Sequence, residues 1–238
     1  MSDTEGAPAV GQQPSAGRRL WGWGKELLII VVSALVLSLV LKTFFFQSFW
    51  IPSGSMEPTL QLNDRILVTK WRPGVLDLRR GDIVVFKDPG GWLDPVDDSD
   101  DTPLESAGKT ILTFTGLLPE DAGEHLVKRV VGLPGETIEC CDDDGRLLVD
   151  GEPLDEDYLV EGIAPSDTEF STTVPANYVW MMGDNRPHSA DSRAHQGNPG
   201  GGSVPISSIV GTAFVTVWPL QQWQTLGNPY ENPDAVED

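Results

Sequence analysis

A serine lies between chain-turning residues in the segment Ile-Pro-Ser-Gly-Ser-Met-Glu-Pro-Thr-Leu, residues 51–60. Pro52 and Pro58 bracket Ser53 and Ser55, and this composition favours a fixed turn over a helix or strand interior. A turn with exposed backbone N–H groups can aim a hydroxyl at a substrate, so Ser55 is a candidate nucleophile. An isolated Ser-Gly-Ser segment is equally compatible with an ordinary surface loop.

A serine hydroxyl needs a base that removes its proton during attack. Lys128 lies in residues 126–131, whose β-branched composition predicts a strand, and alternation places it on the same face as Leu126 and Val130. A lysine on an apolar face loses hydration of its charged form, and full burial can lower its pKa by about 3 to 5 units. The segment is also compatible with a lysine at a strand end that reaches solvent.

Histidine is the alternative base, and the chain has three: His125, His188 and His195. Two of them follow a Gly-Asp-Asn turn within residues 180–195, where Asp184 or Asp191 could orient the imidazole as in a Ser-His-Asp triad. The same segment holds four charges of alternating sign, on Asp184, Arg186, Asp191 and Arg193. These charges could instead lock a loop through local ion pairs and make the segment a wall of the site.

An uncharged apolar run extends from Leu27 to Leu41 and is followed by Lys42 and three phenylalanines. About 20 apolar residues cross the bilayer, and a lysine can extend its head group to the interface. We predict one transmembrane helix over residues 26–46. A buried core helix is disfavoured because the run lacks a polar face, and a cleaved export signal because no small-x-small site follows.

Basic residues precede the apolar run, namely Arg18, Arg19 and Lys25. Since positive charge is retained on the cytoplasmic side, we expect a cytoplasmic N-terminus and an extracytoplasmic domain after Trp50. The predicted organisation is a disordered tail over 1–25, the anchor over 26–46, a β-rich domain over 47–223 with an acidic insertion over 88–124, and a flexible tail over 224–238.

The residues after the anchor predict a mainly β fold built on antiparallel sheet, because short β-branched segments alternate with glycine and proline. The predicted strands are residues 65–71, 82–87, 126–131, 146–149, 178–182 and 209–218. The acidic stretch 88–106 is interpreted as a solvated loop and not a calcium site, since EF-hand spacing is missing.

The charge of the chain excludes some partners. The formal net charge is −20 at pH 7. Nucleic acid is not expected as a partner, because phosphate binding needs clustered lysine and arginine. So acidic a surface would not adhere to anionic lipid by charge either, and membrane attachment requires a segment that inserts.

Four segments occur in a fixed order after the apolar run and together resemble the bacterial type I signal peptidases, the actinobacterial ones in particular. They are Pro-Ser-Gly-Ser-Met-Glu-Pro-Thr-Leu at 52–60, Arg-Gly-Asp-Ile-Val-Val-Phe at 80–86, Lys-Arg-Val-Val-Gly-Leu-Pro-Gly at 128–135, and Gly-Asp-Asn-Arg-Pro-His-Ser-Ala-Asp-Ser-Arg at 183–193. The resemblance extends from the anchor to about Trp218, and the acidic segment 88–124 looks like an insertion.

The resemblance implies the signal peptidase and SOS-repressor-like β fold. It implies a membrane-bound serine endopeptidase that removes N-terminal signal peptides from exported preproteins through an acyl-enzyme intermediate. The implied location is the cell membrane, crossed once, and the implied partners are signal peptides, the lipid bilayer and the protein-export translocon.

The resemblance also implies roles for individual residues. Ser55 matches the nucleophile and Lys128 the general base of a Ser/Lys dyad. Ser53, with the backbone N–H of Ser55, matches the oxyanion hole, and Ser189 matches a hydroxyl that positions the lysine. Four further matches give structural support to the site: Asp184, Arg186, Asp191 and Arg193. The Pro187-His188 pair departs from the family, which more often has polar residues there, and His188 therefore stays under test.

Cys140 and Cys141 are adjacent. A disulfide is plausible outside the cytoplasm, but between neighbours it closes a strained ring, and we expect no catalytic role for either residue. No second cysteine pair or nearby histidine completes a metal site, and no metal or organic cofactor is indicated. Two other kinds of protein remain open, a self-cleaving protein of the SOS-repressor type and a membrane-tethered scaffold with a degenerate dyad.

Overall fold

The computed structural model describes residues 16–74, 76–93 and 125–230. The chain divides into two compact units, Met1–Lys42 and Thr43–Asp238. Most of the predicted acidic insertion, from residue 94 to 124, lies outside the described residues, as do 1–15 and 231–238.

A helix of 29 residues, α1, extends from Ala16 to Phe44. Its leucine, isoleucine and valine side chains from Leu27 to Leu39 are 40–65% exposed. Within the described ranges, no helix has both the length and the apolar character that crossing a membrane requires. The helix begins ten residues before the predicted anchor, so residues 16–25 are helical where a disordered tail was predicted, and it ends before Phe46, which lies in a strand.

Twelve strands are described in the second unit. In chain order they are β1 Phe46–Trp50, β2 Arg65–Thr69, β3 Ile83–Lys87, β4 His125–Gly132, β5 Thr137–Cys140, β6 Leu147–Val149, β7 Glu152–Pro153, β8 Phe170–Thr173, β9 Tyr178–Met182, β10 Val204–Pro205, β11 Ile209–Trp218 and β12 Gln224–Thr225.

The larger sheet has eight strands in the order β1-β2-β11-β3-β4-β9-β10, with β12 added beside β11. All its pairings are antiparallel. Strand β3 is buried at Ile83, Val84, Val85 and Phe86 alike. Because it lies between β11 and β4 and is covered on both faces, its sequence is a continuous apolar run without alternation.

The smaller sheet has the order β7-β6-β5-β8 and is also antiparallel. Its core includes Ile138 and Leu147 from this sheet, with Trp180 and Met182 from β9 of the larger one. The two sheets therefore share a hydrophobic cluster, which fixes the smaller sheet next to the end of β9.

The observed architecture confirms the predicted mainly antiparallel β fold. The bounds predicted for β9 and β11 are those observed, and the four other predicted strands are present with ends shifted by one or two residues. Strand β1 was not predicted: Phe46 was assigned to the anchor, and residues 47–50 were placed in the β-rich domain without a strand. Strands β5 and β8 were not predicted either. Strands β7, β10 and β12 have two residues each, too few to give a periodic signal.

Candidate active site

Ser55 lies in the loop between β1 and β2, here called the Ser55 loop, residues 52–63. Backbone hydrogen bonds close the loop at its base, from Ile51 N to Asp64 O and from Asn63 N to Ile51 O, both 2.9 Å. Met56 and Leu60 are buried in a cluster with Ile51. Apolar packing of these side chains thus anchors the loop and fixes the position of Ser55.

The structure brings Lys128 to Ser55. Nζ of Lys128 lies 2.6 Å from Oγ of Ser55 and donates a hydrogen bond to it. Lys128 is on β4, opposite Val84 of the central strand β3. Only 3% of Lys128 and 9% of Ser55 is exposed. A buried amine in contact with a hydroxyl is the arrangement that proton transfer between them requires.

Burial lowers the pKa of Lys128 to about 8, from an ordinary value of 10.5. The carboxylates of Asp191 and Asp184 oppose this shift because negative charge favours the ammonium form, while the positive charge of Arg193 reinforces it. The physical cause is loss of water around Nζ. The neutral fraction of Lys128 near neutral pH is therefore larger than that of an ordinary lysine, although the ammonium form predominates below pH 8.

Ser53, predicted to contribute to an oxyanion hole, is exposed on the same loop. Its Oγ lies 3.3 Å from Oγ of Ser55. The Ser53 hydroxyl is thus next to the oxygen that would attack a carbonyl carbon, close to where the resulting oxyanion would form.

Ser189, predicted to position the lysine, is near the pair without bonding to it. Its Oγ is buried, and its hydroxyl lies near the Asp191 carboxylate, whose pKa it helps to lower. A side-chain carbon added at Gly183 would overlap both this Oγ and the backbone oxygen of Ser55. Ser189 therefore packs beside the Ser55 backbone, and its role toward Lys128 stays a prediction.

Asp184 forms a buried ion pair with Arg129, the residue after Lys128. Nε and Nη2 of Arg129 donate to the two carboxylate oxygens at 2.9 and 2.6 Å. Thr59 of the Ser55 loop donates to the same carboxylate at 2.5 Å. The pair links β4 to the Ser55 loop. The sequence pattern had suggested local pairs within 184–193, and neither Arg129 nor Thr59 was anticipated.

Asp191 and Arg193, which the resemblance implied as structural support of the site, form an ion pair. Arg193 donates from Nε and Nη2 to the two carboxylate oxygens, at 2.9 and 2.8 Å, and Gly183 N donates at 3.0 Å. Burial alone would raise the pKa of Asp191, but its bonds to Arg193 and Gly183 outweigh that effect and lower the pKa. A permanent negative charge therefore stays near Lys128.

The side chain of Arg186 pairs with Glu156, in the segment between β7 and β8, and not with the carboxylate of Asp184. Its guanidinium donates to both carboxylate oxygens of Glu156, and its Nε donates to Gly183 O at 2.9 Å. Burial works against the charge on Arg186, but the Glu156 carboxylate outweighs it and the pKa is raised. Glu156 lies in a segment that gave no motif, so only the fold identifies it.

Asn185, in the turn after β9, donates hydrogen bonds to the Ser55 loop. Its Nδ2 donates to Gly54 O at 2.9 Å, and its backbone N donates to Ser55 O at 3.1 Å. The Gly-Asp-Asn segment was interpreted from sequence only as a turn. Its asparagine bonds to the carbonyls of both Gly54 and Ser55.

His188 and His195, the two histidines proposed as alternative bases, take other positions. His188 is exposed and its Nδ1 lies 3.1 Å from Asn185 Oδ1. His195 stacks on Trp92, with ring centres 4.3 Å apart. Among the described residues, the hydrogen-bond partners of Ser55 Oγ are Lys128 and Ser53. This arrangement favours the lysine over a histidine as the base.

An apolar cavity of about 120 Å³ opens beside Ser55 and Lys128. Its walls include Phe49, Ile51, Val85, Leu126 and Val127, with His125 at one side. A small apolar volume next to a nucleophile suits a small side chain of a substrate.

The structure joins Cys140 and Cys141 in a disulfide, at the end of β5 in the smaller sheet. Cys140 packs in the cluster shared with Trp180. The pair lies apart from the residues that surround Ser55.

Comparisons with known proteins define the class. The model of the family described as "Signal peptidase, peptidase S26" matches residues 23–218. A "Probable signal peptidase I" of Mycobacterium leprae is 37% identical, over 96% of this chain and 86% of the relative. A "Signal peptidase I" of Mycobacterium tuberculosis is 38% identical, over 84% of this chain and 74% of the relative.

A solved structure, a signal peptidase I from Enterococcus faecalis V583, matches with 25% identity and a TM-score of 0.37, over 58% of this chain and 97% of that one. The sequence matches carry the assignment. The chain belongs to the signal peptidase family, peptidase S26. It is a hydrolase of the signal peptidase I type.

Proposed function

We propose that this protein is a membrane-bound serine endopeptidase that removes N-terminal signal peptides from exported preproteins with a Ser55/Lys128 dyad. The observation that carries the proposal is the 2.6 Å contact between Lys128 Nζ and Ser55 Oγ in a buried setting. Membership of the signal peptidase family supports the substrate class.

In the first step the neutral amine of Lys128 takes the hydroxyl proton of Ser55 while Oγ attacks the scissile carbonyl carbon. The carbonyl oxygen becomes an oxyanion, for which Ser53 Oγ and the backbone N–H of Ser55 are the proposed donors. One such donor contributes roughly 3 to 4 kcal/mol to transition-state stabilisation.

In the second step the tetrahedral intermediate collapses and the carbon–nitrogen bond breaks. The leaving amine takes the proton from Lys128 Nζ, which restores the neutral amine, and the signal peptide stays bound to Ser55 as an ester. Lys128 then takes a proton from water, whose oxygen attacks the ester carbon. The bond between that carbon and Ser55 Oγ breaks, Oγ takes the proton back from Lys128 Nζ, and the signal peptide leaves with a free carboxyl group.

The substrate segment is proposed to bind as an added extended strand beside the Ser55 loop. Strand addition supplies affinity through backbone hydrogen bonds, while pockets select alternate side chains. The small apolar cavity beside Ser55 fits a small residue, as in an Ala-x-Ala site. Bulky residues at these positions would be rejected by overlap with the walls.

Membrane attachment is proposed to come from α1. Its exposed leucine, isoleucine and valine side chains from Leu27 to Leu39 support burial in a bilayer. Arg18, Arg19 and Lys25 favour a cytoplasmic N-terminus, which would leave the β-rich unit on the extracytoplasmic face, where the translocon delivers preproteins.

The test is cleavage of a preprotein with an Ala-x-Ala site by the purified full chain in detergent. Ser55→Ala and Lys128→Ala should each lose activity while keeping the wild-type circular dichroism spectrum. His188→Ala is the matched control, since His188 is exposed, and it should retain activity. Undiminished cleavage by Lys128→Ala would eliminate the dyad. Loss of cleavage in a folded His188→Ala protein would point to a histidine base.

The pH dependence gives a second readout. Because the base must be neutral, kcat/KM should rise with pH through an acidic limb centred on the Lys128 pKa of about 8. A limb centred near the ordinary value of free lysine would contradict a buried base.

A further inference from the structure

The chain after β11 crosses back over the unit, and we name residues 224–230 the C-terminal strap. It begins with β12, which pairs with Val215 and Thr216 of β11. The sequence predicted a flexible tail here, and none of the four segments that carry the family resemblance includes it. The described part instead contacts three separate places around the proposed dyad.

The first contact is with the Ser55 loop. Nε2 of Gln224 donates to Thr59 O at 2.9 Å. The side chain of Thr59 donates in turn to Asp184. The first residue of the strap therefore holds the far end of the loop that carries Ser55.

The second contact is with the Arg-Gly-Asp segment that precedes β3. Nδ2 of Asn228 donates to Arg80 O and to Asp82 Oδ1, both at 2.8 Å. A side-chain carbon at Gly81 would lie 2.5 Å from Asn228 Oδ1 and 2.6 Å from Cδ2 of Tyr230. Gly81 also has a φ of +88°, so glycine is needed both for the turn and for the room that the strap occupies.

This second contact leads to Arg129. Gly81, beside which Asn228 and Tyr230 lie, accepts at its carbonyl a hydrogen bond from Arg129 Nη1 at 2.8 Å. Arg129 is the residue next to Lys128, and its other nitrogens bond to Asp184. The position of the guanidinium thus depends on a peptide that Asn228 and Tyr230 cover.

The third contact is with the segment between β7 and β8, which includes Asp155 and Tyr158. Tyr230 OH donates to Asp155 O at 2.8 Å, and its ring meets Tyr158 edge to face with centres 6.5 Å apart. The guanidinium of Arg129 lies 4.0 Å above the centre of the Tyr158 ring. Burial raises the pKa of Tyr230 to about 12, so its hydroxyl stays a donor at neutral pH.

We propose that the C-terminal strap is a positioning element for the Ser55–Lys128 pair, and that Asn228 and Tyr230 are positioning residues that act through Gly81 and Arg129. The proposal rests on the proposed function of that pair. The strap packs against two partners of Arg129, namely Gly81 and the ring of Tyr158. The guanidinium then neutralises Asp184 in one fixed geometry.

Loss of the fixed Arg129 position should raise the pKa of Lys128. The charged groups around Lys128 are Asp184, Asp191, Arg193 and, through its pair with Asp184, Arg129. The negative charge of Asp184 favours the ammonium form of Lys128. If Arg129 loosens, that charge is less compensated, the pKa of Lys128 rises, and less neutral base is present at a given pH.

The experiment compares full-length Asn228→Ala, Tyr230→Phe and Gln222→Ala in the preprotein assay over a range of pH. Gln222 is an exposed residue just before the strap and serves as the control. Asn228→Ala should lower kcat by roughly tenfold with KM changed by less than about twofold, the pattern of an interaction needed in the transition state. Its acidic limb should move to higher pH. Tyr230→Phe, which loses one hydrogen bond and keeps the ring, should show the same changes in smaller measure.

The strap proposal is overturned if folded Asn228→Ala and Tyr230→Phe lower only the melting temperature and keep the wild-type kcat and acidic limb. Should Asn228→Ala not fold, Tyr230→Phe decides by the same criterion. Lys128→Ala is run in the same assay. If it is inactive, a negative result for the strap variants concerns the strap alone, whereas an active Lys128→Ala overturns the proposed dyad and the strap's role with it.

Discussion

The chemistry proposed for this molecule depends on one buried amine. Lys128 is covered on a strand that carries apolar neighbours, and it meets a hydroxyl and not a carboxylate. Fully buried lysines are rare because the ammonium form loses its hydration. This chain keeps one at a cost in stability, which is the mark of a group retained for its reactivity.

Replacing Lys128 by methionine should make this cost measurable. The folded-state pKa of about 8 is below the ordinary 10.5, so below pH 8 the fold carries a penalised ammonium. Lys128→Met should therefore increase the free energy of unfolding at pH 7, by up to about 3 kcal/mol if 1.36 kcal/mol per pKa unit applies. The gain should shrink as pH rises from about 8 to about 10.5, as urea denaturation at several pH values can measure. A gain that does not vary with pH would contradict a lowered pKa.

The Arg129–Asp184 pair should be essential for stability. Their side chains are 3% and 0% exposed, so removing one partner leaves a buried charge unpaired. Asp184→Ala should lower the free energy of unfolding by about 3 to 5 kcal/mol, as measured by urea denaturation. Asp144→Ala is the control, because Asp144 is 78% exposed and pairs with Arg146 at the surface, where a pair contributes about 0 to 1 kcal/mol. Equal effects of the two substitutions would contradict this account.

At the scale of elements, β4 shows how one strand serves two sides of the site. Lys128 and Arg129 are adjacent, so their side chains leave the strand in opposite directions. Lys128 meets the Ser55 hydroxyl, while Arg129 meets Asp184, Gly81 and the Tyr158 ring. Both are buried because β4 has packed structure on each face. A strand with one solvated face could not hold the two charges in this way.

The turn after β9 should tolerate no side chain at Gly183. A carbon there would overlap Ser189 Oγ and the backbone oxygen of Ser55. Gly183→Ala should displace the Ser55 loop and reduce kcat by as much as about 100-fold, since a misplacement of about 1 Å has an effect of that order. The control is Gly197→Ala, where a side-chain carbon meets nothing within 4 Å. Steady-state kinetics of the two variants provide the test. Equal kcat values would contradict the prediction, because they would show that the Ser55 loop accommodates the added carbon.

At the scale of the whole molecule, the chain has two units of different kinds. The first contains most of α1, whose apolar side chains are exposed, and the second contains every strand described. The second unit has its own hydrophobic clusters, so its folding does not require the helix.

A protein reduced to residues 43–238 should therefore fold and cleave a soluble signal-peptide substrate, but should fail to sediment with lipid vesicles. The physical reason is that the exposed apolar surface of α1 is gone while the proposed dyad is intact. Full-length Ser55→Ala should still sediment, which separates attachment from activity. Vesicle binding by the shortened protein equal to that of the full chain would place the attachment elsewhere.

Local sequence was sufficient for much of the fold. Strands β9 and β11 were predicted with their observed bounds because each is a β-branched run with turn residues at its ends. Strand β1 was missed because an aromatic run after a helix does not mark where the helix ends. The strap was missed because its contacts are made to residues far away in the chain, and a short polar segment has no periodicity that reveals them.

The sequence by itself determined the family, the antiparallel β character and the candidate residues Ser55 and Lys128. Each of these conclusions depends on short segments whose residues are neighbours in the chain. Tertiary structure alone decided that Lys128 is buried and reaches Ser55, that Arg129 pairs with Asp184, and that Glu156 pairs with Arg186. The physical reason is that burial and pairing depend on which strands become neighbours. That neighbourhood is set by packing over the whole chain, where a residue's partner can lie more than 50 positions away.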